Sequence, residues 1–187
     1  VITNGGFSLT LPGKSWLLPL VLLGYMVPFE AMVIPLYRLM STLGLRDTYW
    51  ALILPQIGLS VSFGTYWMSS FFESFPEELV DAATIDGCSR WQTLWRVLFP
   101  NSKPALTTLI VLVFMWTWNE FLLALVLVQE ESLRTLPVGL AFFQGRYSAN
   151  IPQLAAAAII VAIPTILVYV AFQSFFIRGM MGGAVKG

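Results

Sequence analysis

A chain of 187 residues that is 57% hydrophobic, 14% aromatic and only 11% charged falls outside soluble usage, where about a quarter of residues are charged, and its composition suits lipid as the bulk solvent. Ten basic and ten acidic residues give a formal net charge of zero, leaving no basic field for a nucleic acid and no acidic tail. A single cysteine, Cys88, and no histidine exclude a disulfide framework and remove the commonest zinc and catalytic-triad ligands.

The opening stretch, "VITNGGFSLTLPGKSW", has no initiator methionine, no basic signal-peptide start and no apolar run before Trp16. It reads as the remnant of something longer. A bilayer core of about 30 Å needs roughly 20 mostly apolar helical residues, because only a helix or a closed barrel satisfies its backbone there. Four segments reach that length, at residues 16–36, 52–72, 106–128 and 154–177. Each carries breakers or polar groups that a plain anchor does not need: Pro28 and Glu30 in the first, Pro55, Gly58 and Gly64 in the second, Asn119 and Glu120 in the third, Pro164 and Gln173 in the fourth. Such groups are costly against lipid and face neighbouring helices or a water-filled path, although prolines and glycines also arise from ordinary packing irregularity.

Orientation follows from the positive residues of the short loops. With the connector between the second and third segments cytoplasmic, Lys14, Arg90, Arg96, Lys103, Arg178 and Lys186 lie inside, and Arg38, Arg46, Arg134 and Arg146 lie outside. The outer connectors then hold Tyr37, Tyr49, Trp50 and Tyr147 where aromatic belts sit.

That connector, residues 73–105, is the least lipid-like long stretch and reads as helix, turn, helix. Ser74 and Glu77 have capping-box spacing, Pro76 suits a first turn, and Glu77 and Glu78 face the positive end of the helix dipole. Gly87 is placed to stop this helix in a left-handed conformation. Ser89 and Gln92 repeat the capping spacing, and Trp91, Leu94, Trp95 and Leu98 form one apolar stripe expected to lie against something apolar. Ala82 and Ala83 give the first helix a small-residue face flanked by Glu77, Glu78 and Asp81, a surface suited to docking in a groove with a basic partner. The bland reading is a hairpin that links two spans and rests on the membrane.

The run "DAATIDGCSRWQTLWRVLFP" resembles the cytoplasmic loop signature of ABC importer permeases, in which Glu-Ala-Ala is followed after three residues by Gly and, nine residues on, by Ile-x-Leu-Pro. Asp81, Ala82 and Ala83 take the first places, Gly87 falls at the right spacing, and Val97, Leu98, Phe99 and Pro100 close it. Asp81, Val97 and Phe99 depart from the signature but keep charge or apolar character. Further stretches, "VPFEAMVIPLYRLMSTLGLRDTYWALILP", "WTWNEFLLALV", "LRTLPVGLAFF" and "FFIRGMMGGAVKG", are similar to the carbohydrate branch, in particular one subunit type of the maltose permease pair. The resemblance implies an all-α polytopic membrane protein, the transmembrane domain of an ABC type I importer, with about four of the family's six spans and truncated at its start. Residues 1–15 would be the remnant of a cytoplasmic connector, 16–177 the transmembrane domain and 178–187 a cytoplasmic tail reaching toward the ATPase. It places the chain in a bacterial or archaeal inner membrane.

The resemblance also implies a transport subunit rather than an enzyme, passing a sugar or related solute by alternating access. An ABC ATPase dimer, a second permease subunit and an extracytoplasmic solute-binding protein would be its partners. ATP and Mg would sit on the partner ATPase, and no GxxxxGK[ST] phosphate loop occurs in this chain. Glu78, Asp81, Ala82, Ala83, Asp86, Gly87 and Pro100 are the expected ATPase-coupling residues, with Asp81 pairing an Arg or Lys of the ATPase. Trp116, Trp118, Asn119 and Glu120 are the solute-path candidates, because sugars are held by aromatic faces and by amide or carboxylate hydrogen bonds; helix packing is the competing role. A transporter driven by an ion gradient through intramembrane carboxylates such as Glu30 and Glu120 is the alternative. It leaves the connector unexplained. An intramembrane enzyme lacks a histidine pair, paired aspartates or a serine and base set in the spans.

Overall fold

The computed structural model describes residues 14–142 and 151–181, and every described element is helical. Arg146, Tyr147 and the tail beyond Met181 therefore lie outside the described residues, as does the start of the chain before Lys14. In chain order the helices are α1 (Lys14–Met26), α2 (Phe29–Thr42), α3 (Tyr49–Glu73), α4 (Glu77–Ile85), α5 (Arg90–Thr93), α6 (Phe99–Asn101), α7 (Lys103–Trp118), α8 (Leu122–Leu127), α9 (Leu136–Phe142) and α10 (Ile151–Met181). A π turn at Leu94–Leu98 joins α5 to α6, and a 3-10 turn covers Glu131–Leu133.

Two of the four expected long segments are broken. The first divides at Val27 and Pro28, where the proline has no N–H to give and pushes the residue before it out of helical geometry. The third ends at Trp118 and resumes at Leu122. The other two run through their prolines, α3 past Pro55 and α10 past Pro164. Only Ile151–Ser174 of α10 is by itself long and apolar enough to cross a bilayer among the described residues; Pro19–Met26 with Phe29–Thr42, and Arg90–Asn101 with Lys103–Trp118, qualify if each pair is counted together.

The chain divides into two compact units. In the first, whose described residues are 14–26, 61–110 and 172–181, the second half of α3 packs on the start of α7. The Trp67 indole N–H donates to the Ala105 carbonyl at 3.1 Å, and a Cβ on Gly64 would sit 3.4 Å from Leu109. Ala83, Leu98 and Ala105 are buried here, with Thr93, Ser102 and Thr108. These hydroxyls donate to the backbone carbonyls of Ser89, Phe99 and Pro104, so no polar group of the three is stranded in an apolar setting.

The second unit, whose described residues are 27–60, 111–142 and 151–171, centres on Met40, Ala51, Leu123 and Leu127, with Phe29, Leu36, Tyr37, Leu45, Leu52 and Val126 packed round them. α2 ends at Gly44, φ 66°, where Leu45 N–H reaches Met40 O and Gly44 N–H reaches Ser41 O, the paired bonds of a Schellman stop. The following loop is pinned by Asp47, φ 54°, whose Oδ1 accepts the backbone N–H of Gln129 and of Glu130. Arg46 lies with its guanidinium 4.5 Å from the Tyr37 ring centroid.

Large apolar side chains remain exposed, including Ile159, Ile160, Ile163, Ile166, Leu167 and Val170 of α10. No part of that helix's apolar window is buried within the chain. In water such a surface would be severely unfavourable; against acyl chains or other membrane helices it needs no cover.

Candidate functional site

The connector forms the helix, turn and helix expected of it. α4 begins after Pro76, φ −59°, with Glu77 and Glu78 in its first turn. The capping box expected at Ser74 does not form. Pro76 sets the N-cap two residues further on, and the Ser74 hydroxyl instead donates to Phe71 O at 2.6 Å. The helix stops as anticipated. Gly87 has φ 77°, Gly87 N–H bonds Thr84 O, and Cys88 N–H bonds Ala83 O, which is the geometry glycine adopts without a Cβ penalty. The second capping box is complete, with Gln92 N–H donating to Ser89 Oγ and Ser89 N–H donating to Gln92 Oε1 at 2.8 Å.

Helical spacing places Glu78, Asp81, Ala82 and Ile85 at i, i+3, i+4 and i+7 on one face of α4, and all four are exposed. Ala83 points the other way and is buried at 4% exposure, so the small-residue pair divides its work: Ala82 lies on the outer face and Ala83 packs within the unit. Asp86 and Gly87 are exposed at the end of the helix. Ile85, 86% exposed, is the member of this face that sequence reasoning passed over. Its signal was the i+3 step from Ala82 and the i+7 step from Glu78.

Pro100 stands apart from that face, in the first turn of α6. It has no N–H for the carbonyl four residues back and its ring crowds that position. The turn just ahead of it is widened, with Phe99 N–H bonding Leu94 O five residues back. The stripe read from the sequence is divided: Leu98 is buried and Leu94 half-buried, whereas Trp91 and Trp95 face outward.

The solute-path candidates sit at the end of α7 and the break after it. Trp116 is half-exposed at 51%. Trp118 donates its indole N–H to Val161 O of α10 at 3.0 Å and stacks on Phe114 at 5.8 Å. The Asn119 side-chain amide donates to Met115 O at 2.7 Å. Glu120 accepts the N–H of Leu123 with Oε1 at 2.7 Å and that of Ala124 with Oε2 at 3.1 Å. Its carboxylate thus satisfies two of the otherwise unpaired N–H groups that open α8, and Leu123 and Ala124 are buried beside it. Asn119 and Glu120 thus hold local backbone and Trp118 is tied to α10, while Trp116 keeps about half of its surface exposed. None of them lines the hollow of about 350 Å³ bounded by Glu131, Arg134, Thr135, Leu136, Gly139 and Phe142, where Arg134 lies over the Phe142 ring and donates to Gln129 O. No cluster of metal-ligating side chains occurs among the described residues.

A family profile described as binding-protein-dependent transport system inner membrane component matches residues 6–182. The chain belongs to this family. Among curated permeases it is 38% identical over 94% of its length to the probable ABC transporter permease protein YurM of Bacillus subtilis, and 37% identical over 91% to the trehalose/maltose transport system permease protein MalG of Thermococcus litoralis. It spans 58% and 62% of those two proteins. A solved bacterial ABC transporter involved in the import of the acidic polysaccharide alginate matches with a TM-score of 0.68 and 28% identity, covering 91% of this chain and 64% of that one. The all-helical permease fold is the one the sequence indicated, the family is a transport component of the inner membrane rather than an enzyme, and the ion-gradient alternative finds no support.

Proposed function

We propose that the chain is the translocating part of an importer permease for a sugar or related solute, driven by a separate ABC ATPase that docks on α4. The observation that carries this reading is the exposed face of Glu78, Asp81, Ala82 and Ile85 ending in left-handed Gly87. A short helix with a small central residue, an apolar knob and a carboxylate row fits a groove that offers an apolar pocket and a basic rim. Asp81 and Glu78 supply the charge pairing, Ala82 the close approach and Ile85 the anchor. Asp86 and Gly87 leave the end of the helix free of bulk. Pro100 acts one step away, by shaping the turn that joins this docking element to α7.

In this reading four passes cross the membrane, α1 with α2, α3, α7 with α8, and α10, in a multi-pass inner-membrane topology with the connector cytoplasmic. Closure of an ATPase dimer on ATP and Mg moves α4, and the buried contacts of Ala83 and Leu98 pass that movement to the base of α7. A second permease subunit completes the path and an extracytoplasmic binding protein delivers solute. Trp116 is the best-placed residue for stacking on a sugar, while Trp118, Asn119 and Glu120 shape the wall around it.

The test is co-purification of the full-length permease with its ATPase, wild type against Gly87→Trp. Loss of ATPase binding or of solute-stimulated hydrolysis, with membrane insertion intact, is the expected result. Full retention of both would make the connector a linker and overturn the docking role.

A further inference from the structure

The connector's second half carries an aromatic face that docking of α4 does not use. Trp91 is 62% exposed, Trp95 58% and Phe99 40%, and they follow one another at i, i+4 and i+8 along Arg90–Asn101. The Trp95 and Phe99 rings touch at 4.9 Å between centroids, so the face is a continuous strip. The opposite face, Thr93 and Leu98, is buried in the unit. The strip is bordered by exposed Arg96 and ends at exposed Lys103, whereas the exposed charges on the docking face of α4 are acidic. One half of the connector thus presents carboxylates, and the other presents aromatic rings beside cations.

The direction of this helix decides what lies against it. Arg90–Asn101 meets Lys103–Trp118 at Ser102 with a bend of 68°. With α7 crossing the bilayer near its normal, as membrane helices do within about 20° on average, the segment lies closer to the membrane plane than to the normal, at the mouth of the span. Trp rings with a polar N–H edge and an apolar body favour the head-group layer, and neighbouring Arg and Lys favour anionic lipid there.

We propose that Arg90–Asn101 is an interfacial helix. Trp91, Trp95 and Phe99 seat in the cytoplasmic head-group layer, and Arg96 and Lys103 engage the phosphates of anionic phospholipids. The membrane surface then serves as the second bearing of the connector: α4 is held by the ATPase, Arg90–Asn101 by lipid, and movement of α4 is directed into α7 instead of being lost in a swing of the whole loop. This inference rests on α7 being a span.

The experiment is site-directed spin labelling of the full-length permease, purified without its ATPase so that the α4 face is open to solvent, in nanodiscs of phosphatidylcholine with a minor fraction of phosphatidylglycerol. Cys88 and any other native cysteine are replaced by serine, and single cysteines are placed at Trp95, at Ala82 on the α4 face and at Ile110. Ile110 is exposed and lies about 10 Å along α7 from Lys103 at 1.5 Å per residue. Accessibility to dissolved oxygen and to a water-soluble nickel chelate is read at each. The expected pattern is a label at 110 that meets oxygen and not nickel, one at 82 that meets nickel freely, and one at 95 with a nickel-to-oxygen ratio several-fold below that at 82. Arg96→Gln with Lys103→Gln is expected to raise that ratio at 95 in the anionic discs and to leave it unchanged in pure phosphatidylcholine. A label at 95 as open to nickel as that at 82, or shielded from both reagents as beneath protein, overturns the proposal while a deep label at 110 leaves the span reading standing. A water-exposed label at 110 removes the span reading itself.

Discussion

The connector and the break between α7 and α8 carry the same kinds of residue, carboxylates beside small and aromatic side chains, and use them in opposite ways. On α4 the carboxylates of Glu78 and Asp81 stand exposed beside Ile85. At the break Glu120 is consumed by Leu123 and Ala124 N–H, Asn119 by Met115 O and the Trp118 N–H by Val161 O. An acidic residue inside an apolar segment is therefore not evidence of a solute contact until its hydrogen bonds are counted. A helix break makes unpaired N–H groups, and a carboxylate three residues ahead of them is the least costly remedy in an apolar setting. In the proposed reading the exposed α4 face meets a partner, whereas the paired groups at the break keep the shape of a path.

The largest effect expected from this contrast is at Gly87. A Cβ there meets nothing within 4 Å, so the chain tolerates bulk and only the positive φ is strained, at about 1 kcal/mol. Gly87→Ala tests the strain alone and is expected to keep most transport. Gly87→Trp adds bulk to the docking end and is expected to lower coupled transport at least about tenfold, equivalent to roughly 1.4 kcal/mol of lost docking, with unchanged insertion. Equal losses in the two variants would show that backbone strain, not the outward face, is responsible.

Glu120 supplies the converse. Removing a helix cap costs about 1 kcal/mol, and up to about 2 where the freed N–H groups are buried. Glu120→Ala is expected to lower the thermal midpoint by about 2–4 °C per kcal/mol in a chain of this size, with Glu120→Gln intermediate because one carbonyl oxygen remains. Binding of solute by the assembled transporter should change less in Glu120→Gln than in Trp116→Ala. The reverse order would return the carboxylate to direct contact and break the comparison.

Much of the connector was legible because its determinants are local. Gly87 needs a left-handed turn, and Ser89 with Gln92 closes a box within four residues. Ser74 misled because its spacing is as good as that of Ser89; the competing signal was Pro76, which fixes the backbone nearer the helix. The Trp91 to Leu98 stripe was read as one apolar face, and the structure splits it along its length, burying Leu98 and half-burying Leu94 while Trp91 and Trp95 stay exposed. The break at Asn119 and Glu120 was present as a signal, a carboxylate three and four residues ahead of Leu123 and Ala124, but the apolar run on both sides made one uninterrupted span the simpler reading. Which of Ala82 and Ala83 is buried depends on packing against the π turn and was beyond local pattern.

A smaller effect belongs to Ser89. Ser89→Ala leaves the Gln92 N–H without its side-chain acceptor, a bond that is already long at 3.4 Å, so the cost is expected at the low end for a cap, about 0.5–1 kcal/mol. Faster hydrogen exchange at Gln92 and Thr93, with exchange in α4 unchanged, would show that the two halves of the connector are held by separate local devices. Equal acceleration in both would mean that the connector opens as one unit.

Asp47 extends the contrast to a loop where the carboxylate is both near the surface and consumed. The N–H groups of Gln129 and then Glu130 hold its charge, with Arg46 adding a smaller attraction, and together they lower its pKa below the usual carboxylate value. A lowered folded pKa means that the pin's contribution is fully present above the unfolded value of about 4 and is lost as pH falls through the folded one. Hydrogen exchange at Gln129 and Glu130, corrected for intrinsic rate, is therefore expected to stay protected from neutral pH down to about 4 and to lose protection only below it. Asp47→Asn isolates the charge, since asparagine tolerates the left-handed backbone at φ 54° and keeps one acceptor oxygen. Its protection should be lower at neutral pH and flat as the solution is acidified. Asp47→Ala loses acceptor and backbone fit together and should open the loop further. Protection that falls with acid in Asp47→Asn as it does in the wild type would move the pH response to another carboxylate, and Asp47 would then act through geometry alone rather than through its charge.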